Sequence, residues 1–179
     1  MFLAQVASSA AAALGVPGMH DQVGFGEARH CVIVLVDGLG WELLSAHAEH
    51  APTLSALTGD HEDTVFPSTT PTALASLGTG LLPGMHGMVA GTFWLPEADV
   101  VLNPLQWPAV ANPIAVQPEP TVFETAAAYG VSVSTIADGK YADSGLTRAV
   151  LRGGTYRPTD VATHAGRALA QATAGISPP

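Results

Sequence analysis

The residues with the most chemistry in them fall in two short stretches. "CVIVLVDGLGWELL", residues 31–44, runs through six apolar residues into one carboxylate, Asp37, followed by Gly38. "FPSTTPTALASLGTG", residues 66–80, holds four threonines and two serines between two opening prolines and two closing glycines. A carboxylate at a strand end can hold a divalent cation through its oxygen, and ligands of open α/β sheets collect at such ends. Asp is also a good helix N-cap, and "DGLGWELL" permits that role. The spacing alone leaves both open. In the second stretch, Pro67 and Pro71 hold the chain extended before a helix begins. Thr70 therefore falls at or just before the first helical turn. Free backbone N–H groups there attract phosphate, and the helix dipole favours its charge. A hydroxyl so placed is a candidate nucleophile if a metal lowers its pKa. The alternative is that Ser68, Thr69 and Thr70 only cap the helix.

The elements that must position these groups alternate. Residues 2–14 read as an alanine-rich helix ended by Gly15 and Pro17. "CVIVLV" (31–36) is short, continuous and β-branched, the pattern of a strand buried on both faces. Residues 39–49 have helical spacing, "APTLSALTG" (51–59) gives a short helix with Gly59 as its stop, and "DTVF" (63–66) suits a second strand. A helix over 71–79 starts at Pro71. "GMVAGTFWLPEADVVLNP" (87–104) reads as a short hairpin or a pair of edge strands, interrupted by Pro96. The five prolines of 103–120 imply a surface loop. "TVFETAAAYG" is a helix capped by Thr121 and ended by Gly130, and 131–138 is a strand that ends on a carboxylate. A last helix over 159–174 opens at Thr159 or Asp160. The fold class is α/β, a mostly parallel central sheet with flanking helices.

Composition bounds the function. The chain has 179 residues, 47% of them apolar and only 12% charged, which suits a single domain with a sizeable core. A net charge of −9 argues against a nucleic-acid polymer as partner. It leaves phosphate esters open, since bound cations invert the local field. The one cysteine, Cys31, excludes an intrachain disulfide framework and reads as a buried small hydrophobe. No stretch reaches transmembrane length without polar interruption, and the N-terminus lacks the charged start of a signal peptide. The expectation is a cytoplasmic protein without a membrane partner.

The order "VIVLVDGLGWELL" then "FPSTTPTALASLGTGLLPGMHGM" resembles the N-terminal portion of the alkaline phosphatase superfamily, in its nucleotide pyrophosphatase/phosphodiesterase branch. The markers are Asp37-Gly38 after a strand, Thr70 ten residues before Gly80, then Pro83 and His86-Gly87. "YADSGLTRAVLRGGTYRP" (141–158) extends the likeness. The resemblance implies an alkaline-phosphatase-like sheet and two divalent metal ions, usually zinc. It implies that Asp37 is a ligand of one ion. It implies further that Thr70 is the nucleophile that touches that ion and forms a covalent phosphothreonine, and that the substrate is a small phosphate ester. Thr69 and Ser68 are the runners-up, but the spacing to Gly80 selects Thr70. On this reading Asp37 and Thr70 share one end of the sheet, with side-chain oxygens within about 6 Å.

The sequence also departs from the family pattern. Ala73 and Gly91, with Thr92 beside it, stand where asparagines are common, so nucleotide specificity is open. The later metal ligands are missing: after residue 140 only Asp143, Asp160 and His164 remain. Asp160-x-x-x-His164 has helical spacing but reads as a solvated face. His20 and His30 precede the core strand. His47, His50 and His61 fall on the first helices and their loops, and His86 is structural. The expectation is the N-terminal part of a longer phosphatase or phosphodiesterase domain, with half a site and no activity of its own. The alternative is a non-catalytic α/β binding domain.

Overall fold

A computed structural model describes residues 3–57 and 61–160. Alanine-rich α1 (Ala4–Ala13) buries Ala4, Ala7, Ala10, Ala11 and Ala13, and stops before Gly15 at φ 81°. Its Ser9 is fully buried, and its hydroxyl accepts from Gln22 and Val23 N–H at 3.0 and 3.2 Å. Short helices α2 (Trp41–Ala46) and α3 (Pro52–Leu57) follow, joined by a 3₁₀ turn at Ala48–His50. The Gly59 stop lies outside the described residues.

At the centre is α4 (Thr70–Thr79), with Pro71 in its first turn and Gly80 at φ 73° closing it. The start at Pro71 and the stop at Gly80 follow the sequence rules for helix ends. One face carries Leu77 into a cluster with Ala7, Ala11 and Val16 from the N-terminal segment and Val122 and Ala126 from α7 (Val122–Ala128). The other face carries Ala75 into a cluster with Met88 and with Leu146, Ala149 and Val150 of α8 (Gly145–Val150). Small residues allow this: a β-carbon at Gly78 would lie 1.8 Å from the Val150 carbonyl oxygen. Between these elements come α5 (Pro83–His86) and α6 (Pro113–Val116). The loop expected over 103–120 thus contains a short helix, and it buries Pro104 and Gln117.

Two small sheets are present among the described residues. β1 (Phe93–Leu95) and β2 (Val100–Leu102) pair antiparallel, Phe93 opposite Leu102, around a 3₁₀ turn at Pro96–Ala98. This is the expected hairpin. β3 (Ser134–Asp138) and β4 (Thr155–Thr159) pair parallel, Ser134 opposite Thr155. The crossover between them carries α8, as a parallel pair requires. β4 is absent from the sequence reading, which gave Thr159 to a helix. The remainder of that helix, and His164, fall outside the described residues.

Helix and sheet content is that of a mixed α/β chain, without the large parallel sheet expected. The strand expected over 31–36 does not form a ladder, and Val32, Ile33, Val34, Leu35 and Val36 are all exposed. A strand needs a neighbour for its N–H and C=O groups, and none of the described strands lies against this run. The expected strand at 63–66 reduces to a single bridge residue, Asp63, whose carbonyl accepts from Leu3 N–H at 3.2 Å.

Gly78→Ala should lower the denaturant midpoint by the equivalent of about 1–3 kcal/mol, since α4 and α8 must part to admit the methyl group. Gly84→Ala meets no atom within 4 Å and should raise it by about 0.4–1 kcal/mol. An unchanged midpoint in Gly78→Ala would contradict the close approach.

Candidate active site

The turn at Asp37-Gly38 and the start of α4 meet. Thr70 Oγ1 donates to Asp37 Oδ2 at 3.0 Å. Asp37 is exposed and Thr70 half-buried, so the pair is open to solvent. The two groups that the sequence could not assign are therefore side by side, well inside 6 Å.

Neither takes the capping role open to it. The N-cap of α2 is Gly40, with no side-chain cap, so Asp37 does not serve that helix. The N-cap of α4 is Thr69, and it too makes no side-chain cap bond. Its hydroxyl pairs instead with Thr72 Oγ1 at 2.9 Å. The first turn of α4 is thus left without a side-chain acceptor, and its N–H groups and dipole favour an anion there. Gly91 borders this end, since a β-carbon on it would lie 3.8 Å from Thr69 Cγ2.

Four of the other five hydroxyls of the stretch are paired within the fold, Thr69 with Thr72 among them. Thr79 Oγ1 donates back to the Ala75 carbonyl at 2.6 Å, and Ser76 Oγ lies 2.9 Å from His86 Nε2. Thr72, Ser76 and Thr79 are buried. Ser68 is exposed. Thr70 alone of the six hydroxyls bonds the carboxylate.

A carboxylate that does stand at a strand end offers a contrast. Asp138, at the end of β3, accepts from Lys140 N–H at 3.0 Å and pairs with Lys140 Nζ at 3.1 Å. It caps a 3₁₀ turn, the bland role that Asp37 does not take. Asp143, His20 and His30 are exposed and lie in neither core cluster, and His61 stacks on Trp41. Cys31 is half-buried, with Sγ 3.7 Å from the Ala10 carbonyl oxygen, and burial pushes its thiol up. A raised thiol pKa suits packing, not nucleophilic chemistry.

Asp37 and Thr70 present two oxygens 3.0 Å apart on an exposed edge. That donor set fits an oxygen-liking divalent cation. Among the described residues, however, Asp37 belongs to no group of three His, Cys, Asp or Glu close enough to share an ion. The one such group is His47, Glu49 and His50, which the spacing H-x-E-H could have signalled.

A family model described as type I phosphodiesterase / nucleotide pyrophosphatase matches residues 31–161, most of the chain. The chain belongs to this family. The matched span of the phosphodiesterase model takes in Asp37, Thr70, Gly80 and His86 and runs through β4. No match was found among curated proteins or among solved structures. Among the described residues of this phosphodiesterase-family chain, no helix is long and apolar enough to cross a membrane.

His86 supports α4 through Ser76. It is 2% exposed, and Met88 N–H donates to its Nδ1 at 3.1 Å. Nδ1 is thereby an acceptor, and Nε2–H donates to Ser76. Burial lowers the imidazole to about 4. Below the ordinary imidazole range the unfolded chain takes up a proton that the folded chain refuses. The stability it contributes is complete above about pH 6.5 and is lost progressively as pH falls to about 4, about 3 kcal/mol in all. Melting temperature should therefore drop between pH 7 and pH 4, and His86→Gln should flatten that slope. An equal slope in the variant would remove His86 as the cause.

Proposed function

We propose that this chain carries the nucleophilic half of a metal-dependent phosphoric-ester hydrolase, with Thr70 as the attacking group and Asp37 as ligand of one divalent ion. The observation that supports the reading is the Thr70–Asp37 hydrogen bond at the uncapped start of α4. Family membership supports the reaction class. The family implies two divalent ions, with zinc the expected metal, and here Asp37 and Thr70 would hold one of them. A bound ion supplies a lower pKa for the hydroxyl and neutralises charge on the transferring group.

The chain's own residues do the rest. One Asp37 oxygen accepts the Thr70 hydroxyl hydrogen and fixes where the attacking lone pair points, leaving the other oxygen for the ion. The dipole and first-turn N–H groups of α4 orient the phosphate. Thr70 Oγ1 bonds to phosphorus as the bond from phosphorus to the ester oxygen breaks; the hydroxyl proton passes by way of Asp37 to solvent, and the departing oxygen takes up a proton from water. Water then cleaves the phosphothreonine and restores the hydroxyl. Ala73 and Gly91, where the resemblance places asparagines, hold the proposed substrate at the level of a small phosphate ester. The acidic composition supports a substrate that is not a nucleic-acid polymer, and the expected compartment is the cytoplasm.

A second reading is a non-catalytic α/β binding domain. It is favoured by the lack of a third ligand beside Asp37 among the described residues.

In a protein whose metal sites are complete, Thr70→Ala should abolish turnover of bis-p-nitrophenyl phosphate. It should change stability by no more than about 1 kcal/mol, one exposed hydrogen bond. Thr70→Ser should keep appreciable activity, and Thr69→Ala should lose far less than Thr70→Ala. The 179-residue chain alone should show no turnover, because among the described residues one carboxylate and one hydroxyl stand at this site, too few to hold two ions. Equal losses at Thr69 and Thr70, or full activity in Thr70→Ala, would sink the reading. Phosphate binding without turnover in the completed protein would select the binding domain.

A further inference from the structure

The segment between α2 and α3 gathers three metal-ligating side chains that the proposed hydrolytic chemistry does not use. His47 ends α2, and the 3₁₀ turn Ala48–His50 follows at once. In a 3₁₀ turn residues three apart eclipse one another, so His47 and His50 lie on the same side. Their ring centroids are 6.1 Å apart, and His50 N–H donates to the His47 carbonyl at 3.0 Å. Glu49 lies between them in sequence, with Oε1 3.5 Å from His50 Nε2. One ligand atom from each of the three falls within 4.8 Å of the others.

We propose that His47, Glu49 and His50 bind a single borderline divalent transition-metal ion of the zinc type, with its remaining position left to water. Two imidazoles and one carboxylate are the donor set that suits such ions. At bond lengths of about 2.0–2.1 Å, ligands of a tetrahedral ion stand about 3.3–3.5 Å apart. The Glu49–His50 separation already matches. The longest separation must close by at most about 1.5 Å, which three exposed side chains can do by torsion changes. The backbone beneath is tied down: Ala51 N–H donates to the Ala48 carbonyl at 3.1 Å, and Ser55 Oγ to the same carbonyl at 3.5 Å. Exposure keeps the ion's open position in contact with solvent. The neighbouring imidazole, His61, stacks on Trp41 at 4.6 Å, at the far end of α2, and does not extend the set. Asp37 is not a member of this group, so the site is a separate one and does not depend on the hydrolase reading. Magnesium and calcium, which take all-oxygen shells, should not compete for it.

The test is calorimetric titration of untagged, metal-stripped protein with zinc and with nickel, in excess magnesium. Wild type should show one binding event. His47→Ala, His50→Ala and Glu49→Gln should each weaken it by about tenfold or more, with the helical circular dichroism unchanged. Asp37→Asn should leave this event intact, and an event lost in Asp37→Asn but kept in the histidine variants belongs to the Asp37 site. That outcome overturns the proposal, as would the absence of any event in wild type or displacement of zinc by millimolar magnesium.

Discussion

The contact between α4 and α8 sets the rest of the structure. Gly78 lets the Val150 carbonyl approach within a distance that no side chain could share. Both core clusters are built on α4, one through Leu77 and one through Ala75. A helix buried on so many sides normally carries only apolar groups. This one carries hydroxyls, and they are tolerated because Thr79 bonds within the helix and Ser76 bonds the neutral His86. Buried polar groups are cheap only when paired. Thr70 thus begins a helix whose body is fixed on both faces, and a fixed helix start is what a positioned nucleophile needs.

A second set of contacts holds the helices around α4 in place. Arg152, just past α8, donates to the carbonyls of Gln117, Glu119 and Ala149 and pairs with Glu124 at 3.0 Å. Fully buried Gln117 bonds the carbonyls of Glu119 and Ala149, both at 3.0 Å, and Thr121 Oγ1 bonds the Arg152 carbonyl at 2.6 Å. Thr121 and Glu124 also close a capping box on α7. The proline-rich segment is therefore bound to the end of α8 by its main chain. A guanidinium is suited to this because it presents five donors in a fixed fork.

Asp37 stands on different ground. The apolar run before it stays exposed and pairs with no described strand, so its link to α4 is the single hydrogen bond to Thr70. The nucleophile candidate is held by a packed body, and the ligand candidate by a loop. This asymmetry is the reason the site was only half legible. The helix start could be read from Pro71 and the stop from Gly80. The strand before Asp37 could not, because β-branched character describes a run that would fit a sheet and says nothing about whether a neighbour is there.

What the sequence determined by itself is local. Pro71, Gly80, Thr121, Glu124 and Gly130 place helix ends through backbone dihedrals and cap bonds, which need only near neighbours in the chain. The hairpin around Pro96 and the strand at 134–138 follow from the same short-range rules. The family resemblance singled out Thr70 by its spacing to Gly80, but that its hydroxyl meets a carboxylate is decided by tertiary structure, because the direction of a side chain depends on how α4 is seated against α1, α7 and α8. It decided too that the 31–36 run forms no ladder and that Thr155–Thr159 is a strand. Each of these turns on a partner distant in sequence, which a pattern of residue types does not carry.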